Sequence, residues 1–101
     1  MTNRNGHMKD KTIVITGASS GAGRAIAIEF ARLGARLILA ARREEALQEV
    51  AAECEELGAT AIAVVTDTRA AYDIHRLAKT AKDFGGTIDV WVNNAGVLAA
   101  G

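Results

Sequence analysis

The sequence predicts an α/β fold in which the strands of a doubly wound parallel sheet alternate with helices in the order βαβαβαβ. Two observations lead to this prediction. Short runs rich in Val, Ile and Thr alternate with longer segments whose apolar residues recur at helical spacing. Glycines follow the helical segments, and the chain has no proline to interrupt them. Strands separated by helices pair in parallel through right-handed crossovers.

The predicted elements follow one another along the chain with short connections. The first strand, Thr12–Thr16, is β-branched and continues into a glycine-rich turn over 17–23. A helix with apolar residues at helical spacing follows over 25–33. The remaining elements are predicted as strands at Arg36–Ala41, Thr60–Val65 and 88–92 and as helices at 44–57 and 70–84. The glycines that end the helices are Gly34, Gly58, Gly85 and Gly86.

The composition argues against several classes of function. Of the 101 residues, 12 are Lys or Arg and 12 are Asp or Glu, and this balance gives no electrostatic reason to expect nucleic acid or an anionic membrane as a partner. No apolar run approaches the ~20 residues that a membrane span needs. Residues 1–10 are polar, and we interpret them as a disordered lead or a cloning remnant.

The single cysteine, Cys54, excludes an internal disulfide and gives no metal-site spacing. Because Cys54 is in register with the apolar residues of the second predicted helix, we interpret it as a small buried residue on that helix. The lack of a disulfide is compatible with a cytoplasmic location, which we expect for this protein.

Three glycines, at 17, 21 and 23, stand between the first strand and the first helix. Glycine lets the chain turn sharply off a strand, brings the backbone close to a pyrophosphate and lets the helix pack tightly on the sheet. The free N–H groups and the dipole of a helix N-terminus attract anions. Because a βαβ unit surrounds these glycines, they predict a dinucleotide-binding site. A structural turn without a ligand is the alternative.

Two motifs resemble those of the short-chain dehydrogenase/reductase family. Residues 16–23 read Thr-Gly-Ala-Ser-Ser-Gly-Ala-Gly, which is similar to the family's T-G-x-x-x-G-x-G motif, with Ala22 where the family usually has isoleucine. Residues 93–96 read Asn-Asn-Ala-Gly and resemble its N-N-A-G motif. The resemblance covers residues 11–96. It implies a Rossmann-type sheet with strand order 3-2-1-4, of which residues 11–101 form a partial dinucleotide-binding domain.

The resemblance also implies an activity and a set of cofactor contacts. Enzymes of this family move a hydride between a nicotinamide cofactor and a carbonyl or secondary alcohol substrate, and they often form dimers or tetramers. Asp67 would accept a hydrogen bond from the adenine amino group, and the Thr68 N–H would donate to the ring. Asn93 would brace the sheet. The predicted cofactor-binding residues are Gly17, Ser19, Ser20, Gly21, Ala22, Gly23, Arg42, Arg43, Asp67, Thr68, Asn94, Ala95 and Gly96.

The end of the second strand favours NADP(H) over NAD(H) as the cofactor. Ala41 occupies the place where an acid would bind the ribose 2′-hydroxyl of NAD, and Arg42 and Arg43 follow it. Both arginines lie at the start of a helix, where the dipole disfavours cations, and a bound phosphate would compensate for this. Ser19 and Ser20 could add hydroxyl donors. The alternative is that both arginines are ordinary solvated charges, just as Asp67 could be a turn or capping residue.

The catalytic residues that the resemblance implies are not in this sequence. The family's hydride transfer depends on a serine and a Tyr-x-x-x-Lys pair. The only tyrosine is Tyr72, with Arg76 four positions later, and no serine follows Ser20. We expect Tyr72 and His75 to be solvated helix residues. We also expect that the 101-residue chain is inactive by itself and that the parent protein continues past Gly101.

Two other functions are compatible with the same fold to different degrees. A non-catalytic nucleotide-binding or interaction module would share the glycine turn but would carry out no chemistry. An epimerase or nucleotide-sugar enzyme of the family's extended branch fits the two motifs poorly.

Overall fold

The computed structural model of the chain describes residues 8–94. Four parallel strands form one sheet in the order β3-β2-β1-β4, with a helix in each connection. This confirms the predicted fold class and strand order. The elements are β1 (Thr12–Thr16), α1 (Gly21–Arg32), β2 (Arg36–Ala41), α2 (Glu44–Glu56), β3 (Thr60–Val65), α3 (Ala71–Gly85) and β4 (Val90–Asn93).

The parallel register places the carboxyl ends of all four strands at one edge of the sheet. Thr16, the last residue of β1, lies opposite Ala40 on one side and opposite Asn93 on the other. In the pairing of β2 with β3, Ala41 lies opposite Val65. The segments that follow these strands therefore lie next to one another, as is usual for ligand sites in open α/β sheets.

The helices cover both faces of the sheet. Side chains of β1 alternate between the faces, so that Ile13 and Ile15 pack on one side and Val14 on the other. Helices α1 and α2 cover the first face, and α3 covers the second with Leu77 and Ala81. The residues of the first face that belong to the two helices are Ala27, Ala31, Leu47, Val50, Ala51 and Cys54.

Several side chains outside the sheet lie where the sequence predicts them. Cys54 is completely buried, and burial raises the pKa of its thiol to about 11. Tyr72 is 76% exposed, and His75 is also exposed. Leu57, the C-cap residue of α2, is 41% exposed. Within residues 8–94, no helix is long and apolar enough to cross a membrane.

Two elements start more than one residue away from the position that the sequence predicts. Helix α1 begins at Gly21, inside the predicted glycine turn, because Ser20 caps its first turn. Strand β4 begins at Val90 rather than at 88, since Asp89 contacts β1 through its side chain. The carboxylate of Asp89 accepts a hydrogen bond from the Thr12 N–H at 2.8 Å, and the Asp89 N–H donates to the Thr12 carbonyl oxygen at 2.9 Å. This pair of bonds fixes the start of β4 beside β1.

Candidate functional site

The glycine turn leaves β1 through a residue with positive φ. Gly17 has φ 64, a left-handed conformation that glycine adopts without steric cost. The next residue, Ala18, is buried and donates its N–H to the carbonyl oxygen of Ala40 in β2 at 3.1 Å. The Ser20 N–H donates back to the Gly17 carbonyl oxygen at 3.2 Å. The turn is therefore a tight bend that is anchored to the neighbouring strand.

Ser20 caps helix α1. Its hydroxyl oxygen accepts from the Gly23 N–H at 3.1 Å, and the hydroxyl donates to the Gly17 carbonyl oxygen at 2.8 Å. The only proton of the hydroxyl is thus used inside the turn. Ser20 stabilises the bend in this structure, and its predicted role as a phosphate donor would require that bond to break. Ser19, which is half-buried beside it, has no such cap bond.

Gly21 and Gly23 have opposite surroundings. A Cβ atom at Gly23 would overlap the Gly17 carbonyl oxygen and would lie 2.8 Å from its carbonyl carbon. A Cβ atom at Gly21 would have no neighbour within 4 Å. Gly23 is therefore required for the helix to pack against the turn. Gly21 and the next residue, Ala22, are exposed at the first turn of α1, where helix geometry leaves backbone N–H groups without intrahelical acceptors.

The end of β4 is bonded to the glycine turn and to β1. The side-chain amide of Asn94 donates to the Gly17 carbonyl oxygen and to the Ser20 hydroxyl oxygen, both at 3.1 Å. The Thr16 hydroxyl donates to the side-chain oxygen of Asn93 at 3.1 Å. Both asparagines therefore brace the site. The sequence predicted such a role for Asn93 and cofactor contacts for Asn94, and it missed the bonds of Asn94 to the turn.

The end of β2 presents two exposed cations. Ala41, at the position where an acid would select NAD, is only 8% exposed, and it is followed by the exposed residues Arg42 and Arg43. Arg43 is the N-cap residue of α2 and makes no side-chain capping bond. The arrangement places positive charge at a helix N-terminus, where an anion is favoured.

The end of β3 carries a carboxylate with three hydrogen bonds. Oδ1 of Asp67 accepts from the Arg69 N–H at 2.9 Å and from Arg69 Nε at 3.0 Å, and Oδ2 accepts from Arg69 Nη2 at 3.1 Å. The hydrogen bonds from the Arg69 side chain and backbone, with a smaller attraction from Arg42, lower the pKa of Asp67 to about 2. Asp67 is thus a turn residue, as the alternative interpretation allowed. Its carboxylate is at the same time anionic and 34% exposed.

A second acid holds the backbone of the same loop. Oδ2 of Asp73, in the first turn of α3, accepts from the Asp67 N–H at 2.8 Å. Arg76 lies 3.7 Å from the Asp73 carboxylate and donates to the Val65 carbonyl oxygen at 2.8 Å. These residues were not among the predicted site residues. The one sequence feature that could have indicated them is an acid in the first turn of a helix, a position that often contacts the preceding loop.

The predicted site residues that the structure describes lie on segments at the same edge of the sheet. The β2 and β3 ends are joined directly, since the Thr66 N–H donates to the Ala41 carbonyl oxygen at 2.8 Å. Thr68 is half-buried in the loop before α3. Ala95 and Gly96 lie outside the described residues. Among residues 8–94, no group of three or more His, Cys, Asp or Glu side chains could hold a metal ion.

Comparison with known proteins identifies relatives along nearly the whole chain. The sequence profile of the family described as short chain dehydrogenase matches residues 11–101. An uncharacterised oxidoreductase of Bacillus subtilis strain 168, YxnA, is 48% identical over 94 residues, which are 93% of this chain and 26% of that protein. The 11-beta-hydroxysteroid dehydrogenase A of Sesamum indicum is 46% identical over 88% of this chain and 26% of its own length. The chain thus spans about a quarter of these relatives.

Solved structures give the same result. A metagenomic short-chain oxidoreductase in complex with NADP superposes with a TM-score of 0.85 at 38% identity, covering 90% of this chain and 41% of that one. A hydroxysteroid dehydrogenase of Escherichia coli superposes with a TM-score of 0.84 at 33% identity, over 91% of this chain and 39% of that one. Taken with the glycine turn and the strand order, the profile match over residues 11–101 shows that the chain belongs to the short-chain dehydrogenase family.

Proposed function

We propose that this chain binds NADP(H) at the carboxyl edge of its sheet and is the cofactor-binding part of an oxidoreductase. The reaction would transfer a hydride between the nicotinamide and a carbonyl or secondary alcohol substrate. The observation that carries the NADP(H) assignment is the end of β2, where Ala41 replaces an acid and Arg42 and Arg43 are exposed at the start of α2. The solved relative that contains NADP supports it.

The local structure of the glycine turn supports the proposal that it binds the pyrophosphate. The space around Gly21 is open, and the first turn of α1 offers backbone N–H groups and the positive end of the helix dipole. Gly23 allows α1 to approach the turn closely, which brings those groups to the strand end. Ser19, Ala22 and the backbone at Gly17 would complete the cradle.

The 2′-phosphate would bind at Arg42, with Arg43 beside it. A guanidinium group presents parallel N–H donors that match phosphate oxygens, and such charge-assisted pairs are stronger than neutral hydrogen bonds. Helix α2 also begins at this point with an N-cap residue that makes no side-chain bond. The ribose 2′-hydroxyl of NAD(H) would have no carboxylate acceptor at Ala41. It also carries no negative charge for the two arginines to bind.

The adenine would lie beside the loop that follows β3. The Asp67 carboxylate is anionic and partly exposed, so it can accept a hydrogen bond from the adenine amino group, while the Thr68 N–H would donate to the ring. Asn94, Ala95 and Gly96 would line the path from the ribose towards the nicotinamide.

The test compares the binding of NADPH and NADH to the protein by calorimetry. The substitution Arg42→Ala should weaken NADPH binding by about tenfold or more, because it removes a charge-assisted contact, and should leave NADH binding unchanged. Arg32→Ala is the matched control, since Arg32 is an exposed arginine whose ion pair with Glu29 lies at the other end of α1. Equal loss of NADPH and NADH binding in Arg42→Ala would contradict the assignment.

A non-catalytic nucleotide-binding module is the second candidate. Such a module would share the glycine turn and the sheet edge but would carry out no chemistry. The two candidates differ in turnover. The assay uses the full-length protein with ketones present. A binding module would bind NADPH without oxidising it, whereas an oxidoreductase would consume NADPH and lower the absorbance at the nicotinamide band.

A further inference from the structure

Asp67 has four acceptor positions, of which the described residues fill three. A carboxylate offers about four lone-pair sites, two on each oxygen. Both sites of Oδ1 are taken by the Arg69 N–H and by Arg69 Nε, and one site of Oδ2 is taken by Arg69 Nη2. Within residues 8–94, a single lone pair of Oδ2 is therefore left to receive a ligand.

The loop that carries Asp67 is also fixed from its backbone side. The Asp67 N–H is held by Asp73 at 2.8 Å, and the Ala70 N–H donates to the Asp67 carbonyl oxygen at 3.0 Å. The carboxylate can then turn only about its own side-chain bonds, and the guanidinium of Arg69 removes that freedom by binding both oxygens. Arg69 reaches this position because its own N–H closes a turn on Oδ1 two residues back.

We propose that Arg69 is a positioning residue for adenine recognition, which aims the free lone pair of Asp67 Oδ2 at the amino group of the adenine ring. This inference rests on the proposed function, because it assumes that the adenine of the dinucleotide lies at Asp67. The measurable consequence is that Arg69 sets how strongly the protein prefers a purine with an amino donor at position 6 to a purine with a carbonyl acceptor there.

Two effects of Arg69 on this contact oppose each other. Its charge weakens Asp67 as an acceptor, whereas its two-point contact orders the carboxylate in advance of binding. The Arg69 side chain is 75% exposed, so solvent screens the charge effect. When a ligand has to order a mobile side chain as it binds, the lost side-chain entropy weakens the binding. The orientation effect therefore dominates, and removal of Arg69 weakens the adenine contact.

The test uses NADPH and its hypoxanthine analogue, which has a carbonyl oxygen in place of the amino group. The wild-type protein should bind NADPH about tenfold more tightly than the analogue, since a hydrogen bond to a charged acceptor is replaced by repulsion. In Arg69→Ala this ratio should fall below about threefold, with both NADPH and NADH weakened by the same factor, because the adenine is common to both. Arg69→Lys keeps the positive charge but loses the two-point contact of the guanidinium group. The affinity ratio of NADPH to the analogue in this variant should therefore lie between those of the wild type and Arg69→Ala.

The outcomes separate this inference from the proposed function. If the wild-type protein binds neither NADPH nor NADH, the proposed function is wrong. If it binds NADPH and shows the adenine preference, and Arg69→Ala keeps that preference in full, Arg69 does not position Asp67 and the inference is overturned. If Arg69→Ala weakens NADPH and the hypoxanthine analogue equally, Arg69 has only a structural role, and the inference is again overturned. Arg32→Ala should leave the ratio unchanged.

Discussion

Asn94 and Gly17 are 77 positions apart in the sequence and are joined by a hydrogen bond of 3.1 Å from the side-chain amide of Asn94 to the Gly17 carbonyl oxygen. The same amide reaches the Ser20 hydroxyl oxygen at 3.1 Å. The two family motifs are thus in direct contact. The second motif holds the first in shape, because the Gly17 carbonyl oxygen that it contacts also receives the Ser20 N–H and hydroxyl.

The bonds of Asn94 should matter for stability as well as for binding. Asn94→Ala removes both bonds, and we expect the free energy of unfolding to fall by about 1–2 kcal/mol. Asn94→Asp should cost more, because its carboxylate offers no amide donor to the Gly17 carbonyl oxygen and places negative charge against it. Urea unfolding monitored by circular dichroism measures both. Gln48→Ala, on the exposed side of α2, is the control and should change stability by under about 0.5 kcal/mol.

The glycines of the turn should respond differently to the same substitution. Gly23→Ala forces a Cβ into the Gly17 carbonyl group and 2.9 Å from the Ala18 Cα, so α1 must move away from the turn. We expect a loss of more than about 2 kcal/mol in the free energy of unfolding. The Cβ that Gly21→Ala adds would have no neighbour within 4 Å. The free energy of unfolding of this variant should therefore stay within about 1 kcal/mol of the wild-type value. Equal stability of the two variants in urea would refute this account of the turn.

The sequence predicted the sheet well because its signals are local. Strands β1, β2 and β3 have the predicted bounds, since each is a β-branched or aliphatic run that is followed within two residues by a glycine or a charged residue. Three of the glycines predicted to end helices or follow their last turn, Gly34, Gly58 and Gly86, have positive φ. These features depend on backbone sterics and on periodicity, which are properties of neighbouring residues.

The parts that were not predicted depend on contacts between distant segments. The start of β4 is set by Asp89 bonding to Thr12, and no periodicity in the segment 88–92 contains that information. The Ser20 hydroxyl donates its hydrogen bond to the Gly17 carbonyl oxygen, although a serine hydroxyl could equally well donate to a phosphate. The roles of Arg69 and Asp73 follow from the path of the loop after β3, which becomes visible only when α3 is placed on the sheet.

The ion pair of Asp67 predicts a pH dependence. Its pKa is lowered to about 2, first by the hydrogen bonds from Arg69, so its folded pKa lies below the unfolded value. A group of this kind adds stability at pH values above its unfolded pKa of ~3.9. That contribution is lost as the pH falls from ~4 through the folded pKa. The adenine contact should therefore survive mild acid, because Asp67 stays ionised there.

The measurement is an NMR titration of the Asp67 side-chain carboxyl carbon. The wild-type midpoint should lie well below the ordinary range for aspartate, and Arg69→Ala should move it upwards, since the side-chain hydrogen bonds are the largest cause of the shift. Arg32→Ala should not move it. A wild-type midpoint near ~3.9 would show that the pair with Arg69 does not persist in solution.

The buried start of β1 allows a stabilising substitution. The Thr12 side chain is completely buried, and its hydroxyl has no hydrogen-bond partner within residues 8–94. Thr12→Val replaces that hydroxyl with a methyl group of similar shape and keeps the β-branch that the strand favours. It leaves in place both hydrogen bonds that the Thr12 backbone makes with Asp89. We expect the free energy of unfolding to rise by about 1 kcal/mol, because a buried polar group without a partner carries a desolvation cost.

Gly85 of α3 packs against the Thr12 side chain and allows a second test of this contact. A Cβ at Gly85, in the last turn of α3, would lie 2.8 Å from the Thr12 Cγ2. Gly85→Ala should therefore destabilise the protein even though alanine is the better helix former by about 1 kcal/mol. Thr12→Ala removes two of the obstructing atoms, Oγ1 and Cγ2, and leaves only the Cβ at 2.9 Å. Adding Gly85→Ala to that variant should therefore cost less stability than adding it to the wild type. Urea unfolding of the wild type, the two single variants and the double variant measures the coupling energy between the two positions. Additive changes in the free energy of unfolding would mean that α3 does not pack against the Thr12 side chain.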